Sequence, residues 1–262
     1  MKKTYSTSLL FDLNIFSRRK SSLLEILGKW LKENNGLKVI YTPNPEQIVQ
    51  SRGNDKFKQA LQRADILLPD GMGLVIASRF LSFFHQTQPL FERIAGVEVV
   101  ESLLEMAHQQ GSRVVVIGGR DYSPEDYFAY NRAKIYWTPG FKNVYQPTAV
   151  EKKHLEEFLV QVQPDLVLVA FGAPAQELWI DQHRDLLQKN GVKIAMAVGG
   201  SFDYLLGKIP RAPYWFKKLG LEWLFRLIIE PWRLKRQLRL ISFVGLTTGL
   251  AMGSTMKKAS EK

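Results

Sequence analysis

Asp70, in the stretch LLPDGMG, is the side chain best suited to take up a proton. It follows an apolar run and precedes Gly71 and Gly73, so its carboxylate would stand at the end of a strand, where a substrate hydroxyl could reach it as a general base. The same position also suits an ordinary helix N-cap. Thr42 and Asn44, in a loop stiffened by Pro43 and Pro45, offer a hydroxyl and an amide at a neighbouring strand end, and capping is again the plain alternative. Arg93 in FERIAG and Gln176 at the start of a helical stretch could bind sugar hydroxyls or phosphate, or could simply be solvated. Gly199-Gly200-Ser201 with Asp203 just beyond could turn backbone N–H groups and a helix N-terminus toward a phosphate, although Gly-Gly turns are commonly structural. Gly118-Gly119 is a weaker version of the same signal, because no G-x-G-x-x-G follows it. The P-loop pattern is missing too, which argues against ATP hydrolysis of that type.

Groups of this kind act together only if a frame brings them to one place. Short β-rich runs (Leu37–Thr42, Asp65–Leu68, Arg113–Ile117, Lys134–Trp137, Asp165–Phe171, Lys193–Val198) alternate with helical patterns (Ser21–Glu33, Asn54–Arg63, Gly71–Phe80, Gly96–Gln109, Thr148–Gln161, Pro174–Lys189). That alternation predicts a Rossmann-like α/β fold, a parallel sheet flanked by crossover helices. In an open α/β sheet the strand ends form one edge with a ligand crevice, so the five loops carrying these residues are expected on one rim. The N-terminus MKKTYSTSLLFDLNIFSRRK is interrupted by Asp12 and Asn14 and reads as a first strand, not as a signal peptide.

The chain of 262 residues is 45% hydrophobic, enough for one large domain and an appendage. With no cysteine, disulfides and thiolate metal sites are excluded. His85, His108, His154 and His183 are scattered and no Asp-x-Asp occurs, so no metal site is expected and diphosphate chemistry would lean on protein cations. Those cations are concentrated. Of the net charge of +11, a surplus of seven lies between Lys208 and Arg239, interleaved with Tyr214, Trp215, Phe216, Trp223, Phe225 and Trp232. Such a mixture suits an anionic membrane surface, and equally a packed helix with a solvated basic face. Arg226, Arg233 and Arg236 would share one face of a continuous helix and could clamp a leaving phosphate, but Pro231 would interrupt that helix. The apolar run Leu238–Gly253 is too short to span a bilayer and could only dip into one. The tail carries no nucleic-acid motif, so a nucleic-acid partner is not expected.

TPNPEQIV, LLPDGMGLVIASRF, ERIAGVEVVESLLEMA, FGAPAQELWI and VGGSFDYLLGKIPRAP through GLEWLFRLIIEPWRL occur in this order. Together they resemble the WecG/TagA/CpsF glycosyltransferase family over nearly the whole chain. The resemblance implies an inverting, metal-independent transfer, without a cofactor, of an N-acetylmannosamine-type sugar. The donor would be a UDP-sugar and the acceptor polyprenyl-diphosphate-linked, in the synthesis of cell-surface polysaccharides such as teichoic acid linkage units. It implies a Rossmann-like catalytic domain, residues 1–207, and a basic, aromatic helical appendage that associates with the membrane, residues 208–262. The site would be cytoplasmic, peripheral on the inner face of the membrane; a homo-oligomer is compatible with the sequence. On this resemblance Asp70 is the base, Thr42, Asn44, Arg93 and Gln176 line the substrate pocket, and Arg226, Arg233 and Arg236 are the arginines of the appendage. One departure stands out: the connection from Gly119 to Phe141 is short and aromatic where a longer helical crossover is expected, which leaves the uracil contacts unassigned. The alternative reading is a non-catalytic nucleotide-sugar-binding protein docked on anionic membrane, which would need no base at position 70.

Overall fold

The computed structural model describes residues 5–85, 87–119, 122, 123, 125–210, 212, 213, 216, 222–231 and 234–260. In chain order the elements are β1 (Thr7–Leu10), β2 (Leu13–Phe16), α1 (Lys20–Lys32), β3 (Lys38–Tyr41), α2 (Pro45–Arg52), α3 (Asp55–Arg63), β4 (Ile66–Leu67), α4 (Met72–Ser82), α5 (Gly96–Gln109) and β5 (Val114–Gly118). There follow β6 (Tyr127–Tyr130), β7 (Ala133–Thr138), α6 (Ala149–Val162), β8 (Leu166–Ala170), α7 (Ala175–Gln182), α8 (Arg184–Lys189), β9 (Ile194–Ala197), α9 (Ser201–Leu205), α10 (Glu222–Ile229) and α11 (Leu234–Ser260).

β3 to β9 form a seven-stranded sheet of order β4-β3-β9-β8-β5-β7-β6, parallel except for the edge strand β6, which runs antiparallel to β7. The central strands VVVIG, LVLVA and IAMA are covered on both faces, which is why they read as unbroken apolar runs. Strand alternation divides them between two cores. Val115, Ile117, Val167, Val169, Ala195 and Ala197 join Ile48, Phe57, Leu61, Leu74 and Trp179 on one face. Val114, Val116, Leu166, Leu168, Ile194 and Met196 join Leu23, Leu27, Leu31, Val99, Val100 and Leu103 on the other. Leu23, Leu27 and Leu31 recur every four residues along α1, the spacing that holds one helix stripe on the sheet. Truncating a fully buried leucine such as Leu27 to alanine costs about 2–5 kcal/mol.

Two expectations change, and a third, the interruption at Pro231, holds. The N-terminal segment is a hairpin, β1 with β2, forming its own two-stranded sheet. Its turn residues Phe11 and Asp12 both have positive φ, a conformation with no Gly or Asn there to announce it. The aromatic connection after β5 needs no crossover helix, because β6 runs antiparallel and the chain turns back at Asn131-Arg132, both at positive φ, to insert β7 beside β5. Finally, the basic tail is not one helix. α10 ends at Ile229 and α11 begins at Leu234, with Pro231 in the break, so Arg226 and Arg236 sit on different helices. α11 packs on α2 and α4, where Phe243 and Ala251 are buried in the main core and the Phe243 ring lies 5.2 Å from that of Phe11.

Candidate active site

The loops after β3, β4, β5, β8 and β9 emerge at the C-terminal ends of the parallel strands, on one rim as the alternation predicts. The first two are tied together: the Asp70 backbone N–H donates to the Pro43 carbonyl at 3.1 Å. The segment that enters α5 closes the third side, with the Ile94 N–H donating to the Pro69 carbonyl at 3.0 Å. Arg93 is thereby brought to Asp70, and its Nε lies 3.7 Å from Asp70 Oδ1. Gly71, at φ 107°, is the N-cap of α4 and Asp70 precedes it, so the capping alternative does not hold. Its carboxylate instead faces the guanidinium, and both side chains remain partly exposed. Thr42 stands opposite, its methyl and hydroxyl 3.2 and 3.4 Å from where a Cβ on Gly96 would lie; a glycine in the first turn of α5 lets β3 and α5 approach this closely. The loops that carry Thr42, Asn44, Asp70 and Arg93 thus meet on one part of the rim.

Asn44 does cap a helix. Its Oδ1 accepts from the Gln47 N–H at 3.0 Å while Gln47 Oε1 accepts from the Asn44 N–H at 3.1 Å, a reciprocal box over α2, which Pro45 starts. The cap occupies the Asn44 oxygen, so its remaining amide donors are what it can offer a substrate. Gln176 is 4% exposed and sits beneath the rim: its Oε1 accepts from the Gly172 N–H at 3.1 Å and from the Gly199 N–H at 2.9 Å, and its Nε2 donates to Glu177 Oε1 at 2.9 Å. It joins the ends of β8 and β9.

The glycine pairs are used for packing and turning. Gly118, at φ 94°, has the Phe171 ring 2.7 Å from where its Cβ would be; Gly119, at φ 79°, has the Tyr122 ring at 2.2 Å, and its N–H donates to the Ala170 carbonyl at 3.2 Å. Only glycine admits those rings. Gly199 directs its N–H inward to Gln176, and a Cβ on Gly200 would meet Asp203 Oδ2 at 3.1 Å. Asp203 in turn hydrogen-bonds Tyr122, whose hydroxyl is pushed above its ordinary range by burial and then by this carboxylate. Arg233 and the side chains of Arg226 and Arg236 lie outside the described residues, as do Tyr214, Trp215 and Trp232. A cavity of about 260 Å³ lined by His108, Arg113, Arg132 and Lys134 opens between the end of α5 and the β6–β7 turn, at the opposite edge of the sheet from Asp70.

Glu177 is a residue that the sequence reading passed over. It is 1% exposed, its Oε1 accepts from both Gln176 Nε2 and Gln47 Nε2 (3.2 Å), and its Oε2 is buried without a hydrogen-bond partner. Burial drives its carboxyl up to about 7, against the lowering effect of the two glutamine amides and a backbone hydrogen bond. The adjacent Gln176 in FGAPAQELWI was the available signal, since an acidic residue beside a buried amide in an apolar helix start needs a partner.

The sequence profile of the glycosyl transferase WecG/TagA/CpsF family matches residues 9–256. Among curated relatives, an N-acetylglucosaminyldiphosphoundecaprenol N-acetyl-beta-D-mannosaminyltransferase of Bacillus spizizenii is 33% identical over 82% of this chain and 80% of its own length. The protein of the same name from Bacillus subtilis is 31% identical over 88% and 87%, and one from Staphylococcus aureus is 30% identical over 75% and 74%. The matched span contains the converging Thr42, Asn44, Asp70 and Arg93, and it removes the binding-only alternative: this chain is a glycosyltransferase belonging to the WecG/TagA/CpsF family.

Proposed function

We propose that the chain transfers an N-acetylmannosamine-type sugar, with inversion, from a UDP-sugar to a polyprenyl-diphosphate-linked acceptor in cell-surface polymer synthesis. The observation that carries the reading is the Asp70 carboxylate, partly exposed at the rim and 3.7 Å from Arg93, on a loop hydrogen-bonded to the one between Thr42 and Asn44. Asp70 takes the proton of the acceptor hydroxyl as its oxygen forms the new bond to the anomeric carbon. The anomeric C–O bond to the diphosphate breaks on the opposite face, its electron pair leaving with UDP. Attack and departure on opposite faces give inversion. Arg93 orients the carboxylate, and the Thr42 hydroxyl and Asn44 amide hold sugar hydroxyls, worth about 1 kcal/mol for each neutral hydrogen bond. Arg226, Arg233 and Arg236 neutralise the departing diphosphate. The relatives' names, which specify an N-acetylmannosaminyl group and a GlcNAc-diphosphoundecaprenol acceptor, support this choice of sugar and acceptor. The transfer proceeds without a metal, as the family resemblance implies.

Residues 1–207 act as the catalytic domain and 208–262 as an appendage on the inner face of the membrane. Among the described residues, no helix is long and apolar enough to cross it. Docking is supported by two helices in contact, α4 and α11, which contain no acidic residue. They expose Ile76, Phe80 and, just past the end of α4, Phe83 (84% exposed), together with Leu238, Ile241 and Val244. Incubation with a panel of radiolabelled UDP-sugars and a synthetic lipid-diphosphate-linked GlcNAc acceptor, with the anomeric configuration of the product read by NMR, tests the reading. Transfer from UDP-N-acetylmannosamine to give the inverted anomer, unchanged by excess EDTA, is expected. Retention, or activity lost to EDTA and restored by Mg²⁺, would overturn it.

A further inference from the structure

Gln47, Gln176 and Glu177 form a buried polar chain that no assigned role accounts for. The two glutamines are oriented by backbone donors: the Asn44 N–H fixes Gln47 Oε1, and the Gly172 and Gly199 N–H groups fix Gln176 Oε1. Each must then turn its NH₂ the other way, and both turn it to the same atom, Glu177 Oε1. The Tyr41 hydroxyl donates to the Glu177 carbonyl at 3.1 Å. One carboxyl oxygen therefore gathers the loops after β3, β8 and β9, including the Asn44 loop that also receives the Asp70 N–H through Pro43.

We infer that Glu177 is a positioning residue for the transfer reaction, which in its protonated form locks three strand-end loops into the geometry that sets Thr42 and Asn44 beside Asp70. Oε1 accepts from both amides, and Oε2 is buried without a partner, where a carboxylate charge would lie unsolvated, so the proton resides on Oε2. When Glu177 ionises, the amides still find an acceptor, but the unsolvated charge on Oε2 draws in water or moves the carboxylate, and the loops that it gathers move with it. Charged and titratable groups face it from its own helix and from the elements packed on it. On its own helix Asp181 is ion-paired with Arg63 at the end of α3 and with Arg184 at the start of α8. Tyr41 on β3 is held well above its ordinary range by burial. His183, stacked on Trp179 with ring centroids 4.5 Å apart, is lowered by burial. Burial places the change of charge of Glu177 itself near neutrality.

The inference rests on the Asp70 loop being the acceptor site, so its test pairs an activity readout with one that is independent of activity. Glu177→Gln keeps an acceptor at Oε1 and cannot ionise; Glu177→Ala removes the anchor. In the full chain, Glu177→Gln is expected to hold kcat within about threefold of wild type at pH 6 and to lose the alkaline decline that wild type shows above pH 7. Glu177→Ala is expected to lower kcat about 10- to 100-fold, since loop misplacements near 1 Å cost on that order, with a smaller effect on the donor KM. Amide hydrogen exchange at Asn44, Gly172 and Gly199 is expected to speed up in Glu177→Ala and, after correction for intrinsic base catalysis, in wild type above pH 7, but not in Glu177→Gln. Unchanged exchange at these amides in Glu177→Ala, or, should that variant not fold, in wild type above pH 7, overturns the inference whatever the activity. So does an alkaline decline in Glu177→Gln matching that of wild type. Normal exchange effects with no transfer from any UDP-sugar would count against the proposed reaction and leave the loop coupling standing.

Discussion

Two halves of the same rim use glycine and aromatic residues in opposite ways. At the ends of β3 and β4, Gly71 and Gly96 provide room for polar groups: one turns Asp70 out ahead of α4, the other admits the Thr42 side chain against α5. At the ends of β5 and β7, Gly118, Gly119 and Gly140 provide room for rings, those of Phe171 and Tyr122. Phe171 stacks on Phe141, and Tyr122 packs against Trp137, Phe128 and Phe202. A glycine turn at a strand end is therefore not in itself a phosphate cradle. The side chain that fills the space decides whether the turn serves chemistry or packing.

Substitutions on the two halves should separate rate from stability. The largest effect is expected for Asp70→Asn: kcat falls about 10²–10⁴-fold, the usual contribution of a positioned base, while Tm and UDP affinity stay close to wild type. Next is the pH dependence that Glu177 imposes on folding. Its carboxyl lies near 7 in the folded chain against an ordinary value of 4.5, so the folded state binds more protons between those limits and stability falls as pH rises through them. For a fully buried group the loss is on the order of 3 kcal/mol. In urea denaturation at pH 4.5 and 7.5, Glu177→Gln should therefore gain on wild type as pH rises; a constant difference would contradict the assignment. Gly119→Ala is expected to cost about 2 kcal/mol, because it places a Cβ against the Tyr122 ring at positive φ, and to lower Tm by several degrees. A Tm equal to wild type would show that Tyr122 can move aside. The smallest effect belongs to the cap: Asn44→Ala should cost about 1 kcal/mol and Asn44→Asp almost nothing. Asn44→Asp nevertheless exchanges amide donors for acceptors, so its turnover should fall about tenfold if those donors hold the substrate. Parallel losses of stability and turnover in both variants would reduce Asn44 to a cap.

The sequence made the central sheet legible because strands buried on both faces must be continuously apolar, and VVVIG, LVLVA and IAMA leave no other reading. The polar patch was legible for a related reason: Asp70, Thr42 and Asn44 each follow such a strand, and parallel strands send their ends to one rim. What stayed hidden depended on distant partners. The helix at Pro45–Arg52 is absent from the helical patterns above, although Asn44 and Gln47 at cap spacing with Pro45 between them mark a helix start. β6, YFAY, alternates exposed and partly buried residues over only four positions, and its Lys134 neighbour lies over the Tyr127 ring 4.3 Å away, as suits an edge strand. Glu177 reads as a solvated acid favouring a helix N-terminus; only Gln47, 130 positions earlier, reveals it as the anchor of a buried network. The fate of Gly118 and Gly119 likewise depended on Tyr122 and Phe171 arriving from elsewhere.

The central claim is that a carboxylate at position 70, beside Arg93, takes the acceptor proton. Chemical rescue tests it most directly. Asp70→Ala opens space next to the Arg93 guanidinium into which formate can enter, whereas Asp70→Asn fills that space with an amide. Single-turnover transfer by Asp70→Ala should be lost in ordinary buffer and recover saturably with added formate, and Asp70→Asn should show no recovery. Turnover by Asp70→Ala within a few-fold of wild type without formate would contradict the account.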